Sequence, residues 1–334
     1  MKLPVPPPRL EDLLKKVAKQ GNGKRFFELF AMQSQIEIAS QPYLPWHQLR
    51  HKKPPGDLTA EEWWVVTKMA RQGLQRKIPL VDTSGRNFTY ALTDEVLKAI
   101  EFVNRHLSGT IGMGERVANS ANRDRYLMNS LMEEAITSSQ LEGAQTTRAA
   151  AKDMIRTGRP PANRDERMII NNYNAMQRVR ELREHDLSVS LVKELHRIVT
   201  DGTLDHPESA GRFQQPGEHR VVVGDHYGTI FHAPPPAESI EDRMEVLCRF
   251  ANEKLDEGYM PGVVRALTVH FMAGYEHPFE DGNGRTARVL FYWLMLKQGF
   301  WMTEFLTISK ILKKSPIQYG NSFISTELIS TTLR

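Results

Sequence analysis

The chain has 334 residues, 40% of them hydrophobic and 25% charged, with a formal net charge of +4 and one cysteine. This is ample material for a large core, and one compact domain with an N-terminal extension is the expected plan. A single Cys248 excludes an internal disulfide framework and fits a reducing cytoplasm, no apolar run approaches the ~18 residues of a membrane span, and the mild positive charge permits an acidic or nucleic-acid partner without arguing for either.

Taken in chain order, the pattern is mostly α. The opening MKLPVPPPRL is too poor in apolar residues for a signal peptide. Residues 10–40 read as one or two helices, and His47 to Gly56 as a Pro-rich connector. Thr59 is an N-cap candidate with Glu61 and Glu62 behind it, opening a helix that bears Trp63 and Trp64. Arg76 to Phe88 reads as a loop with short strands, and Thr93 starts a helix through His106. The aromatic residues of this part (Phe26, Phe27, Trp46, Trp63, Trp64) suit packing better than recognition, and the first ~115 residues carry no motif. Arg123–Gly143 and Thr146–Thr157 are expected to be helical, ended by Thr157-Gly158-Arg159-Pro160-Pro161. Helices follow over Asp165–Glu184 and Ser190–Val199. Between Arg220 and Pro236, the β-branched run Val221-Val222-Val223, the turn Gly224–Gly228 and the run Thr229-Ile230-Phe231 form a hairpin pattern. Ser239–Glu257 and Gly262–Gly274 are helical, with Cys248 on an apolar face. Val289–Leu296 is apolar all round, as a central buried helix should be.

The densest chemistry lies at His277-Pro278-Phe279-Glu280-Asp281-Gly282-Asn283-Gly284-Arg285-Thr286-Ala287-Arg288. The Gly282-Asn283-Gly284 turn can present backbone N–H groups to an anion, and the helix after it adds a favourable dipole. Arg285 and Arg288, three apart, project from one face near that point, and their donor forks suit phosphate oxygens. Asp281 is placed to hold Mg²⁺ that also binds phosphate. His277 has a near-neutral intrinsic pKa and can serve as general base. Phe279 is read as a core anchor. Each piece alone is ordinarily structural, but here all fall within twelve residues. No Walker P-loop spacing is present.

This run resembles, at every specified position, the signature of the Fic (Fido) family, His-x-Phe-x-Asp/Glu-Gly-Asn-Gly-Arg-x-x-Arg. The resemblance implies a mainly α fold: a Fic/Fido helical bundle with a small β-hairpin flap and an N-terminal helical extension. It implies transfer of AMP from ATP to a Ser, Thr or Tyr hydroxyl of a protein, with Mg²⁺. His277 would deprotonate the hydroxyl and Asp281 would hold the metal. Gly282, Asn283 and Gly284 would cradle the phosphates, Arg285 would hold the β- and γ-phosphates, and Arg288 the γ-phosphate. A phosphorylating branch carries Lys where Gly284 stands, so Gly284 argues for nucleotidyl transfer. Leu131 to Gly143, LMEEAITSSQLEG, is similar to the family's inhibitory helix, with Ser138, Glu142 and Gly143 on its three marked positions. Glu142 would then pair with Arg288 and keep the site off, and in some relatives the same glutamate supports AMP removal. Val221, Val222 and Val223 with Thr229, Ile230 and Phe231 would form the flap that receives the target segment as an added strand. The segment Ala210–Phe213 resembles the family's lead-in only loosely. Ile308 to Tyr319 resembles a family continuation in which Tyr319 would contact adenine.

The expected layout is an N-terminal helical extension over 1–115, an inhibitory-helix region over 116–157, a Fic/Fido catalytic core over 158–312 and a C-terminal tail over 313–334. Relatives of this layout often continue into a winged-helix module. The chain is expected to be truncated or to lack it, which weakens a nucleic-acid role. Protein substrates, self-modification and a cytoplasmic location are expected; a membrane partner is not, and a homo-oligomer is left open. Two alternatives stay open: another nucleotide or phosphate-linked donor, and a catalytically silent regulatory binding protein.

Overall fold

The computed structural model describes residues 5–19, 23–32, 44–108, 120–224, 228–255 and 258–331. Two units form, Met1–Glu101 with Ile317–Arg334, and Phe102–Pro316. Among the described residues no helix is long and apolar enough to cross a membrane.

In the first unit, helices α1 (Leu10–Lys19), α2 (Lys24–Met32), α3 (Trp46–Leu49) and α4 (Ala60–Gln72) bury Leu13, Leu49, Trp64 and Val65, with Val17, Leu29, Leu58 and Val66 beside them. Residues 20–22 and 33–40 of the first expected helical stretch lie outside the described residues. Thr59 caps α4 as expected. Its hydroxyl accepts from the Glu62 amide (3.1 Å), and the Glu62 carboxylate accepts from the Thr59 amide (2.8 Å). Such a reciprocal box satisfies two N–H groups that a helix start leaves free. The segment read as a loop with short strands is an antiparallel hairpin, β1 (Gln75–Val81) with β2 (Asn87–Ala91), whose register shifts between Lys77 and Val81. Its turn is built by Asp82, whose carboxylate accepts from the amides of Ser84 (2.8 Å) and Arg86 (3.0 Å). Helix α5 (Asp94–Val103) follows and runs on as a π-helix over Asn104–Ser108, so the helix reaches His106 as expected.

The second unit is a helical bundle around α12 (Asn283–Lys297), whose Leu290, Trp293 and Leu294 are fully buried. Around it pack α6 (Ser120–Leu141), α8 (Arg164–Glu181), α9 (Val189–Thr200) and α11 (Gly262–Glu276). Helix α7 (Arg148–Thr157) is separate from α6, because Gly143 takes φ 95° and Thr147 caps a new start. Helix α10 (Ile240–Ala251) stops short of the expected end. Asn252, just past it, accepts from the Leu187 amide and donates to the Leu187 carbonyl, both at 2.8 Å. Residue 257, the expected end, lies outside the described residues. Helix α13 (Ile308–Lys314) closes the unit, and α14 (Pro316–Thr331) carries the chain back to the first unit.

The flap hairpin forms, but displaced along the chain. Strand β3 is Val223–Gly224 and β4 is Ile230–His232, with Val223 opposite His232 and Gly224 opposite Ile230. Val221, Val222 and Thr229 therefore lie outside the paired strands, contrary to expectation. The cause is Arg220, whose guanidinium is fixed to the carbonyls of Pro235 (2.9 Å), Glu276 (2.8 Å) and His277 (3.1 Å). That fixture holds the residues just after it near the hairpin root. Three residues of the expected turn, 225–227, lie outside the described residues.

Candidate active site

Helix α11 ends at Glu276 and α12 begins at Asn283, so the motif is the connection between two packed helices. His277 takes φ 42° and ψ 54°, a left-handed conformation that costs a non-glycine residue energy and persists only where its surroundings impose it. Its carbonyl is held by Arg220, and the Pro278 carbonyl accepts from the Gln214 amide at 2.9 Å. His277 Nδ1 lies 3.4 Å from the Gly274 carbonyl, an arrangement that favours the proton on Nδ1 and a lone pair on Nε2. Burial, with smaller contributions from His232 and Arg220, lowers its pKa to about 4. The imidazole is therefore neutral near pH 7.

Asn283 closes the loop. Its side-chain oxygen accepts from the Phe279 amide (3.0 Å) and its side-chain nitrogen donates to the Phe279 carbonyl (2.8 Å). Both polar ends of the Asn283 side chain are thus engaged on backbone. What residues 283–285 offer an anion is their amides, which at a helix start have no carbonyl four residues back. Phe279 is the core anchor expected, buried and stacked face to face on His196 with ring centres 3.6 Å apart. Gly282 takes φ 82° and lies against α9, where a Cβ would stand 2.6 Å from Thr200 Cγ2.

Asp281 is half-exposed. One carboxylate oxygen accepts from the Gly282 amide at 2.6 Å, and the other lies 3.8 Å from Arg285 and 3.9 Å from Arg164. Among the described residues no group of three or more His, Cys, Asp or Glu side chains is gathered as a metal cage. Arg285 is buried, its Nη1 donating to the Val199 carbonyl (2.7 Å) while Nε has no hydrogen-bond partner among the described residues. Arg288 is also buried: Nε donates to Ser138 Oγ (2.8 Å), and Nη2 to the Ser138 carbonyl (3.1 Å) and to Glu142 Oε1 (2.8 Å).

Glu142 is held by the way α6 ends. The Gly143 amide donates to the Gln140 carbonyl (3.3 Å) and the Ala144 amide to the Ser139 carbonyl (3.1 Å). This is a Schellman ending with Glu142 at the C-cap and left-handed Gly143 beyond it. A carboxylate there opposes the helix dipole, and Arg288 supplies the compensating charge. The Glu142 carboxylate also lies directly over Gly284, where a Cβ would overlap it.

Sequence reasoning missed a third member of this contact. Glu134, Ser138 and Glu142 fall at four-residue spacing along α6 and its C-cap, and Gly284, Arg288 and Tyr292 do so on α12. Glu134 is buried, accepts from both the amide (3.0 Å) and the hydroxyl of Ser309, and interacts with Tyr292. Burial raises its pKa. The four-residue spacing was visible in the sequence, but its partner on α13 was not. Arg220 and His196 were missed for the same reason, since their partners are distant backbone groups.

The flap is rooted beside His277 by Arg220 and by His232, whose Nε2 lies 2.6 Å from the Tyr275 carbonyl. Val222, Val223 and Ile230 are exposed on it. Tyr319 sits on α14 in the other unit, its ring packed edge-on against Phe323 at 5.3 Å. The structure thus gathers the 277–288 motif with Ser138 and Glu142, and places Tyr319 in a separate unit.

Residues 186–295 match the Fic/DOC family model, so this chain carries a Fic/DOC domain. The chain is 33% identical over 118 residues to the protein adenylyltransferase Fic of Nematostella vectensis, covering 35% of this chain and 25% of that protein. It is 33% identical over 119 residues to the protein adenylyltransferase fic-1 of Caenorhabditis elegans, covering 35% and 21%. The matched segments therefore span about a quarter or less of those relatives. In fold, the chain resembles C. elegans Fic-1 (TM-score 0.51, 14% identity, 98% of this chain and 84% of that one). It also resembles a Fic family protein from Desulfovibrio desulfuricans G20 (TM-score 0.54, 17% identity, 73% and 72%). A Fic domain containing signalling protein from Bacteroides thetaiotaomicron is a third such neighbour (TM-score 0.50, 19% identity, 71% and 92%).

Proposed function

We propose that this chain transfers AMP from ATP to a Ser, Thr or Tyr hydroxyl of a target protein or of itself, and that Glu142 restrains the reaction. The observation carrying this reading is one juxtaposition. Neutral His277 leads into a helix start whose first turn contains Gly284 and is backed by two buried arginines. In the proposed step the hydroxyl oxygen attacks the α-phosphorus and its proton passes to Nε2 of His277. The bond from that phosphorus to the bridging oxygen breaks, and pyrophosphate leaves with Arg285, Arg288 and the α12 amides stabilising its charge.

The single half-exposed carboxylate of Asp281 fits Mg²⁺, which takes one or two carboxylates and completes its shell with phosphate and water oxygens. Bound there, the ion would neutralise phosphate charge. Glu142 supports the restraint because its carboxylate already occupies Arg288, for which a γ-phosphate must compete. The buried free Cys248 supports a reducing compartment. The names of the relatives in N. vectensis and C. elegans support adenylyl transfer as the chemistry.

The test is intact-protein mass after incubation of the Glu142→Gly variant with Mg²⁺ and each of ATP, GTP, CTP and UTP. An adenylyl addition from ATP, lost in Glu142→Gly/His277→Ala, is expected. A larger addition from another nucleotide would change the donor, and no addition or nucleotide binding would favour a silent binding protein.

A further inference from the structure

His196 lies on α9, outside the motif, with none of its surface exposed. Both ring nitrogens meet backbone groups of fixed polarity. Nδ1 accepts from the Gly211 amide at 2.9 Å, and an amide can only donate. Nε2 lies 2.8 Å from the Asp281 carbonyl, which can only accept. The ring is thereby held in one tautomer, protonated on Nε2. Its face covers Phe279 with the two planes parallel, so the imidazole touches the motif loop by edge and by face. The rest of α9 continues this bed. The Val199 carbonyl takes Arg285, and Thr200 and His196 together exclude any side chain at Gly282. Gly211 in turn sits tightly on α9, where a Cβ would stand 2.9 Å from the Lys193 carbonyl.

We infer that His196 is a positioning residue. Through the Asp281 carbonyl it sets the direction of the Asp281 carboxylate and the placement of Gly282–Gly284, and through Gly211 it ties that loop to the segment leading into the flap. The inference rests on the proposed nucleotidyl transfer for its consequence but on backbone contacts for its geometry. Loss of a partner that orients a metal ligand typically costs about 10–100-fold in metal affinity.

Two variants separate the contacts, each made in the Glu142→Gly background. His196→Gln can carry an amide nitrogen to the place of Nε2 and keep the donor to Asp281. His196→Asn can keep an acceptor for Gly211 but loses that donor. Calorimetry of ATP binding with Mg²⁺ and with EDTA, thermal unfolding, and amide hydrogen exchange of residues 279–285 without ligand are measured on both. Both variants are expected to melt lower. The Asn variant is expected to bind Mg²⁺–ATP about tenfold or more weakly while ATP in EDTA changes little, and to exchange its loop amides faster. The Gln variant is expected to stay close to the parent in both. Equal behaviour of Asn and Gln in affinity and exchange, with losses following melting temperature alone, would overturn the inference. If the parent bound no nucleotide the functional reading would fail, and the ligand-free exchange would still decide whether His196 holds the loop.

Discussion

Gly282 holds φ at 82° with Thr200 beneath it, whereas Gly284 lies in ordinary helical backbone with the Glu142 carboxylate and the tip of Arg288 above it. The two glycines should therefore respond differently to the same substitution. Gly282→Ala meets a packed helix and a left-handed backbone, and a loss of ~1–3 kcal/mol is expected in thermal unfolding. Gly284→Ala meets a movable side chain and gains helix propensity, so its melting temperature should fall less while the Glu142–Arg288 contact is pushed apart. Asn283→Ala would strand the Phe279 amide and carbonyl in a buried loop, at ~1–3 kcal/mol. Glycine spacing and the two arginines were legible because their chemistry is intrinsic to residue type. The role of Asn283 was not, since an asparagine in a phosphate-binding pattern reads as a ligand until its two partners are known.

At the level of elements, α6 meets α12 along matched rows, Glu134–Ser138–Glu142 against Tyr292–Arg288–Gly284. Ser309 at the start of α13 holds the far end through Glu134. Glu134→Ala would leave the Ser309 amide buried and unpaired. Unfolding should show a loss of ~1–3 kcal/mol, and AMP transfer should rise above the parent as α6 loosens. Unchanged stability would show that Glu134 is not an anchor. On the other side of the site, Arg220 fastens the flap root to the Glu276 and Pro235 carbonyls. Arg220→Ala should raise the KM for a protein target more than the KM for ATP, a split read from initial rates. The amphipathic patterns located nearly every helix of the second unit. They placed the flap strands one or two residues early, because β-branched residues mark a strand but cannot show that Arg220 fixes the chain just before it.

For the molecule as a whole, the polar interior makes stability depend on pH. Burial lowers the pKa of His196, His270 and His277 to about 4 each, below the ordinary 6.5. The unfolded chain therefore binds more protons between those values. Stability from these histidines is complete above pH ~6.5 and lost as pH falls toward 4, each unit of difference being worth ~1.4 kcal/mol. Melting temperature should be level with respect to these groups from pH 7 to 8 and drop between pH 6.5 and 4. Transfer should not follow the titration of an ordinary histidine near pH 6.5, since His277 stays unprotonated down to about 4. The mainly α character and the burial of α12 were legible from periodicity alone. The division that returns α14 to the first unit was not, because it depends on residues more than two hundred positions apart in the chain.

One carboxylate, delivered by the end of α6, holds Arg288, and the proposed restraint of transfer rests on that contact. The restraint's most direct measurement is the initial rate of label transfer from radiolabelled ATP in the parent, in Glu142→Gly and in Glu142→Gly/His277→Ala. A rise of about tenfold or more in Glu142→Gly, corresponding to ~1.4 kcal/mol released, and no transfer in the double variant are expected. Equal rates in the parent and Glu142→Gly would contradict the restraint, and transfer surviving without His277 would contradict the chemistry.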